Sequence, residues 1–248
     1  MKYILRPALL TVALLGLPFI SSAQIGGPDP SSAFDANFNR LFGDIKAYQA
    51  KATISVKENK GETTIEAKMA MADEKNRMEM DLTQIKGPSV PAEMAAQLKA
   101  MGMDILAAIV DSKAKRMMLI YPSAKAYADM PLPKEQADAL DKQAKMQRTE
   151  LGKEQVDGHD CTKYRYQFED DQGKKRESIV WHATKLKDFP IKVQTTEKSG
   201  EVTILFKDVR FDRPAADLFA APAEYTKYAG IMELMQGVMM KQMQQPGR

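Results

Sequence analysis

One cysteine, one tryptophan and two histidines are all that 248 residues supply of those types. A lone Cys161 excludes any disulfide within the chain, so packing alone must hold the core. Scarce histidine and cysteine also leave little from which to build a paired-ligand zinc site. Charge of one sign is missing too. Lys and Arg number 36 against 33 Asp and Glu, and without Lys2 and Arg6 the balance is essentially neutral. Nothing in this balance resembles an electrostatic funnel for nucleic acid. No repeat of solenoid period and no long low-complexity tract occurs.

The apolar run Ala8 to Ile20 is short and broken by Pro18, which makes a poor membrane span. It follows Lys2 and Arg6 and precedes Ser21-x-Ala23, the pattern of an export leader cleaved between Ala23 and Gln24. A retained amino-terminal anchor is the alternative. The expected organisation is a signal peptide over 1–23, a linker over 24–30, one domain over 31–228, and a terminal amphipathic helix over 229–248. The mature protein is expected in the periplasm.

Methionine, by contrast, is plentiful at 17 residues, and it follows the periodicities. Phe34, Phe38, Leu41, Phe42 and Ile45 form a helical stripe, with Ser32 and Asp35 as a capping box. Period-two alternation then predicts three antiparallel strands, carrying Ile54 and Val56, then Ile65, Met69 and Met71, then Met78 and Met80. A helix from Pro91 to Gly102 presents Met94, Leu98 and Met101. Three strands and a weakly amphipathic helix over 133–146 follow, then five strands from Arg148 onward, a short helical turn closed by Pro222, and the tail helix from Tyr228.

Asp157-Gly158 signals a tight hairpin, with Thr162, Tyr164, Tyr166 and Phe168 on one face of the second strand. Cys161 falls in phase with Lys163 and Arg165, so Cys161 and His182 are expected at solvent-side positions. A thiol nucleophile needs an imidazole within reach and a third group to orient it, and Asp160 points to the wrong face. His159, Cys161 and His182 would make at most a three-ligand exposed patch. The reading is therefore a hairpin turn, with no catalytic residue, no metal and no cofactor.

"GKEQVDGHDCTKYRYQF", "ESIVWHATKLKDFPIKV" and "TILFKDVRFDRPAADLFAAPAEYTK" together resemble an exported bacterial family, the domain of unknown function 4412. More distantly they resemble the LolA/LolB-like superfamily of periplasmic lipoprotein carriers. The anchors are Gly158, Tyr164, Trp181, Phe189, Pro190, Phe219, Pro222 and Tyr225, joined by Tyr121, Pro122 and Tyr127 in a central hairpin. The resemblance spans roughly residues 45 to 228, judged by the strand and turn signals. It implies an α+β fold: a curved antiparallel sheet, an unclosed half-barrel, covered on its concave side by amphipathic helices.

That fold implies a non-enzymatic binding protein for a hydrophobic ligand such as a lipid, an acyl chain or a lipidated protein, with transient membrane contact. The alternative is an envelope interaction or sensing module that takes a partner's peptide or helix in the same groove. The expected ligand surface is Met69, Met71, Met78, Met80, Met94, Leu98, Met101, Leu234, Met235 and Met239. Thioethers adapt to variable partners, although they also fill irregular cores, and clustered ones suit Cu(I).

Overall fold

Alternating Ala, Ile and Met residues with short polar links give long paired strands rather than helices. The structure, a computed structural model, describes residues 36–59, 61–88, 90–141, 144–169, 173, 175–197 and 200–243. The expected leader, its cleavage point, the linker, Phe34 and the Ser32–Asp35 cap lie outside those residues.

The strands are β1 (Ala47–Glu58), β2 (Gly61–Ala72), β3 (Lys75–Asp81), β4 (Ile105–Asp111), β5 (Arg116–Tyr121) and β6 (Ala126–Pro131) in the first half. The second half holds β7 (Lys145–Val156), β8 (His159–Glu169), β9 (Lys175–Ala183), β10 (Phe189–Glu197), β11 (Gly200–Arg210) and β12 (Thr226–Tyr228). The helices are α1 (Ala36–Arg40), α2 (Met94–Ala100), α3 (Lys134–Asp141) and α4 (Ile231–Met243).

All twelve strands join one sheet in the order β12-β6-β5-β4-β3-β2-β1-β11-β10-β9-β8-β7. Two meanders, β1 to β6 and β7 to β11, therefore meet through the antiparallel β1–β11 pair. Only β12 runs parallel to its neighbour, β6. The ends, β12 and β7, do not pair with each other, so the sheet is open.

The connection between the meanders dictates the sheet's curvature. Ten strand spacings separate β6 from β7, about 48 Å if the sheet were flat. The chain from Pro131 to Lys145 includes the eight-residue α3 and can reach only roughly 35 Å. The sheet must curl for this crossing to close. Hydrogen bonds at both sides of the crossing hold it, Lys115 Nζ to Asp141 and Arg40 Nη1 to the Ala144 carbonyl, each 2.6 Å.

The main core lies on the inner face, where α1, α2, α3 and α4 all contribute side chains. At its centre Phe42 stacks on Tyr48 at 4.9 Å between ring centroids and meets Phe189 and Phe206 edge-on. Such pairs add about 0.5–1.5 kcal/mol each beyond burial. They fix the turn after α1, which carries Phe42, to the junction of the two meanders. A second, smaller core lies elsewhere, with Phe219 packed among Ala70, Ala72, Ala107, Ile109 and Ile120. Those strand residues are out of phase with the inner methionines, so this core sits on the outer face, under the 3-10 turn Ala216–Phe219.

Candidate functional site

The strand register brings the expected methionines onto one surface. Met69 pairs with Met78, Met80 with Ala67, and Met71 with Asn76, all facing inward. These four methionines are buried. On α2 Met94 is buried and Leu98 half-buried, Met101 just after it is half-buried, and Leu234 of α4 is fully buried. Met235 is half-buried, and Met239 faces outward. Asn76 sits in this apolar row at 1% exposure, and its Nδ2 has no hydrogen-bond partner among the described residues. An unpaired buried amide of this kind costs about 1–3 kcal/mol.

A separate open groove of about 670 Å³ lies between the α1–β1 connection and the β7–β10 end of the sheet. Its cations are Arg40, Lys46, Arg148 and Lys187, and its carboxylates are Asp44 and Asp188. A chain of polar contacts runs along its wall. The His182 Nδ1–H donates to the Asp188 carbonyl at 2.6 Å, which leaves Nε2 to accept from the Tyr166 hydroxyl at 3.0 Å. Arg148 lies beside that hydroxyl, its guanidinium carbon 4.2 Å from the centre of the Tyr164 ring. Burial lowers the His182 pKa and raises that of Tyr166, so both are neutral near pH 7. The carbonyl that orients His182 belongs to a turn in which Lys187 and Asp188 both have positive φ, 55° and 54°. Such backbone costs of order 1–3 kcal/mol per residue and persists where surrounding contacts enforce it.

A second groove, of about 520 Å³, involves the outer face around β1, β2 and β3. Its cations are mostly compensated. Lys51 pairs with Asp208 at 2.8 Å, while Lys68 and Arg77 share Glu79 at 3.1 and 2.7 Å. None of the four cations in the inner groove is in an ion pair among the described residues. That difference makes the inner groove the stronger candidate.

The profile of the domain of unknown function DUF4412 matches residues 51–189, more than half of the chain. The chain belongs to this family. The DUF4412 region runs from β1 to the first residue of β10 and so includes Arg148, Tyr166, His182 and Asp188. No curated protein matches the sequence. Similar solved structures include a LolA superfamily protein from Nitrosomonas europaea, 10% identical, covering 76% of this chain and 98% of that one, with a TM-score of 0.37. The Mycobacterium tuberculosis lipoprotein LppX is 11% identical over 71% of this chain and 92% of its own, with a TM-score of 0.39. MucB in the Pseudomonas aeruginosa MucA/MucB complex is 14% identical over 77% and 62%, with a TM-score of 0.38.

Two expectations about this DUF4412 chain need correction. Cys161 and His182 are not at solvent positions: they are 2% and 5% exposed. They also lie on opposite faces, because Cys161 pairs with Ala183 while Thr162 pairs with His182. The outer face beside Cys161 is shielded by Trp181, whose indole donates to Glu154 and lies under the ammonium groups of Lys163 and Lys192 at 4.8 and 4.3 Å. Lysine stems can cover apolar surface while their charges stay wet, which a simple in/out alternation misses. Burial pushes the Cys161 thiol pKa up, and its Sγ contacts the His159 carbonyl at 3.4 Å rather than an imidazole. The groove residues Arg40, Arg148, Tyr166, His182 and Lys187 were not expected as a site. The Tyr164–Tyr166–Phe168 face opposite a histidine-bearing strand was the available signal.

Proposed function

We propose that this protein is an exported, non-catalytic binding protein that takes an apolar chain between the inner sheet face and α4. The observation that carries this is the two-sided apolarity of α4. Leu234 and Val238 are buried against the sheet, while Ile231, Met232, Met239 and Met240 are exposed on the same helix. A helix apolar on both sides fits one that trades its partner for another apolar body. Its attachment is slight: it packs chiefly on β6 and β12. Freeing Leu234 and Val238 costs about 3–6 kcal/mol, which roughly four to eight newly buried methylene groups offset. Beyond the part of β6 and β12 that α4 covers, the same inner face carries the methionines of β2 and β3, and an ester or carbonyl oxygen on a ligand long enough to reach them would satisfy Asn76 Nδ2.

Deleting residues 229–248 should leave cooperative unfolding intact and increase binding of a fluorescent fatty acid. Loss of folding would make α4 part of the core and defeat the proposal. Unchanged folding with unchanged probe binding would favour a second reading, in which the outward methionines of α4 seat a partner protein's helix.

A further inference from the structure

The inner groove is too charged for a site that serves an alkyl chain alone. Four cations face two carboxylates there, a local excess of two positive charges in a protein whose formal net charge is +3. Clustered like charges repel one another, and neither Asp44 nor Asp188 closes an ion pair with them among the described residues. Yet one of these cations is carefully placed. Arg148 rests on the face of Tyr164 and beside the hydroxyl of Tyr166, which is fixed through His182 to the Asp188 carbonyl. A guanidinium seated this way keeps its remaining N–H groups free and pays little entropy to bind a two-oxygen anion.

The remaining lining is apolar, with Phe42, Ile45, Met146 and Phe211 prominent. Its volume is that of a site for an organic molecule rather than for a lone inorganic ion. We propose that this groove binds an organic anion, a phosphate or carboxylate headgroup on an apolar body, with Arg148 and Lys187 as its main cationic contacts. The site is distinct from the surface beneath α4, which covers β6 and β12, and it stands whether or not α4 is displaced.

Titration calorimetry on the full mature chain tests this with dodecyl phosphate, dodecanoate, dodecanol and inorganic phosphate, each below its aggregation concentration. Dodecyl phosphate or dodecanoate should bind about tenfold or more tighter than dodecanol, and Arg148→Gln should remove about that factor. Lys51→Gln, at the ion-paired outer groove, should change nothing. Arg148 is exposed, so its substitution leaves the core untouched. Equal affinity for dodecanol and dodecyl phosphate, indifferent to Arg148→Gln, would place the ligand elsewhere and overturn the proposal. Inorganic phosphate binding as tightly as dodecyl phosphate would overturn the apolar body and leave a free-anion site. The unaltered protein provides a second readout. Bound dodecyl phosphate should protect Lys46 and Lys187, but not Lys51, from reductive methylation, and equal labelling with and without ligand would refute the assignment.

Discussion

His182 loses its hydration on folding, and the nearby Arg148 charge further disfavours an imidazolium, outweighing the help of the Asp188 carbonyl. Its folded pKa therefore lies below the ordinary value of 6.5. Between those two values the unfolded chain binds the extra proton, so stability rises with pH across that window. The contribution is complete above about pH 6.5 and is lost as pH falls through the folded pKa, at about 1.4 kcal/mol per unit of separation. The melting temperature should thus fall on acidification below pH 6.5 more steeply for the native protein than for His182→Gln. Parallel profiles for the two proteins would show that His182 is not held neutral. Cys161 shows the same effect of burial on an acid: its raised pKa keeps the thiol protonated and poorly nucleophilic.

Within α4, Gly237 looks from sequence like a weak point costing about 1 kcal/mol relative to Ala. The fold gives it a use, because a methyl group there would collide with the Tyr228 ring of β12. Gly237→Ala should consequently fail to stabilise the protein, whereas in a Tyr228→Ala background it should stabilise by about 1 kcal/mol. Urea unfolding of the four proteins of this cycle decides it, and stabilisation in both backgrounds would show that the ring yields freely. The same interplay explains what could be read from sequence. The strands, the Asp157-Gly158 hairpin (φ of 48° and 79°) and the inward methionines follow from alternation and turn chemistry. The groove does not. Counting back from the hairpin without interruption pairs Arg148 with Gln167, on the outer face. A bulge between Glu150 and Gly152, where Gly152 has φ of 131°, moves the register by one so that Arg148 pairs with Tyr166. One extra residue thus turns Arg148 inward, and no periodicity announces it.

Across the whole molecule, the distant pairing is concentrated in two seams. Most neighbouring strands are consecutive in sequence, but β1 must find β11, as when Ile54 meets Ile204, and β12 must find β6. Each meander can form from local contacts, while the seam between them must await loop closure over most of the domain. A chain ending at residue 199 should therefore show strand-like circular dichroism without a cooperative thermal transition. A sharp transition in that fragment would mean that the two halves are stable without β11.

The position of β11 also sets a clock. Gly200, its first residue, is preceded by 199 of the 248 residues. During synthesis, the β1 edge waits without its partner until most of the polypeptide exists, and the two meanders stay unsealed for that interval. Under the proposed export, such a delay would keep the chain able to thread across a membrane, since the strand that would lock it arrives nearly last.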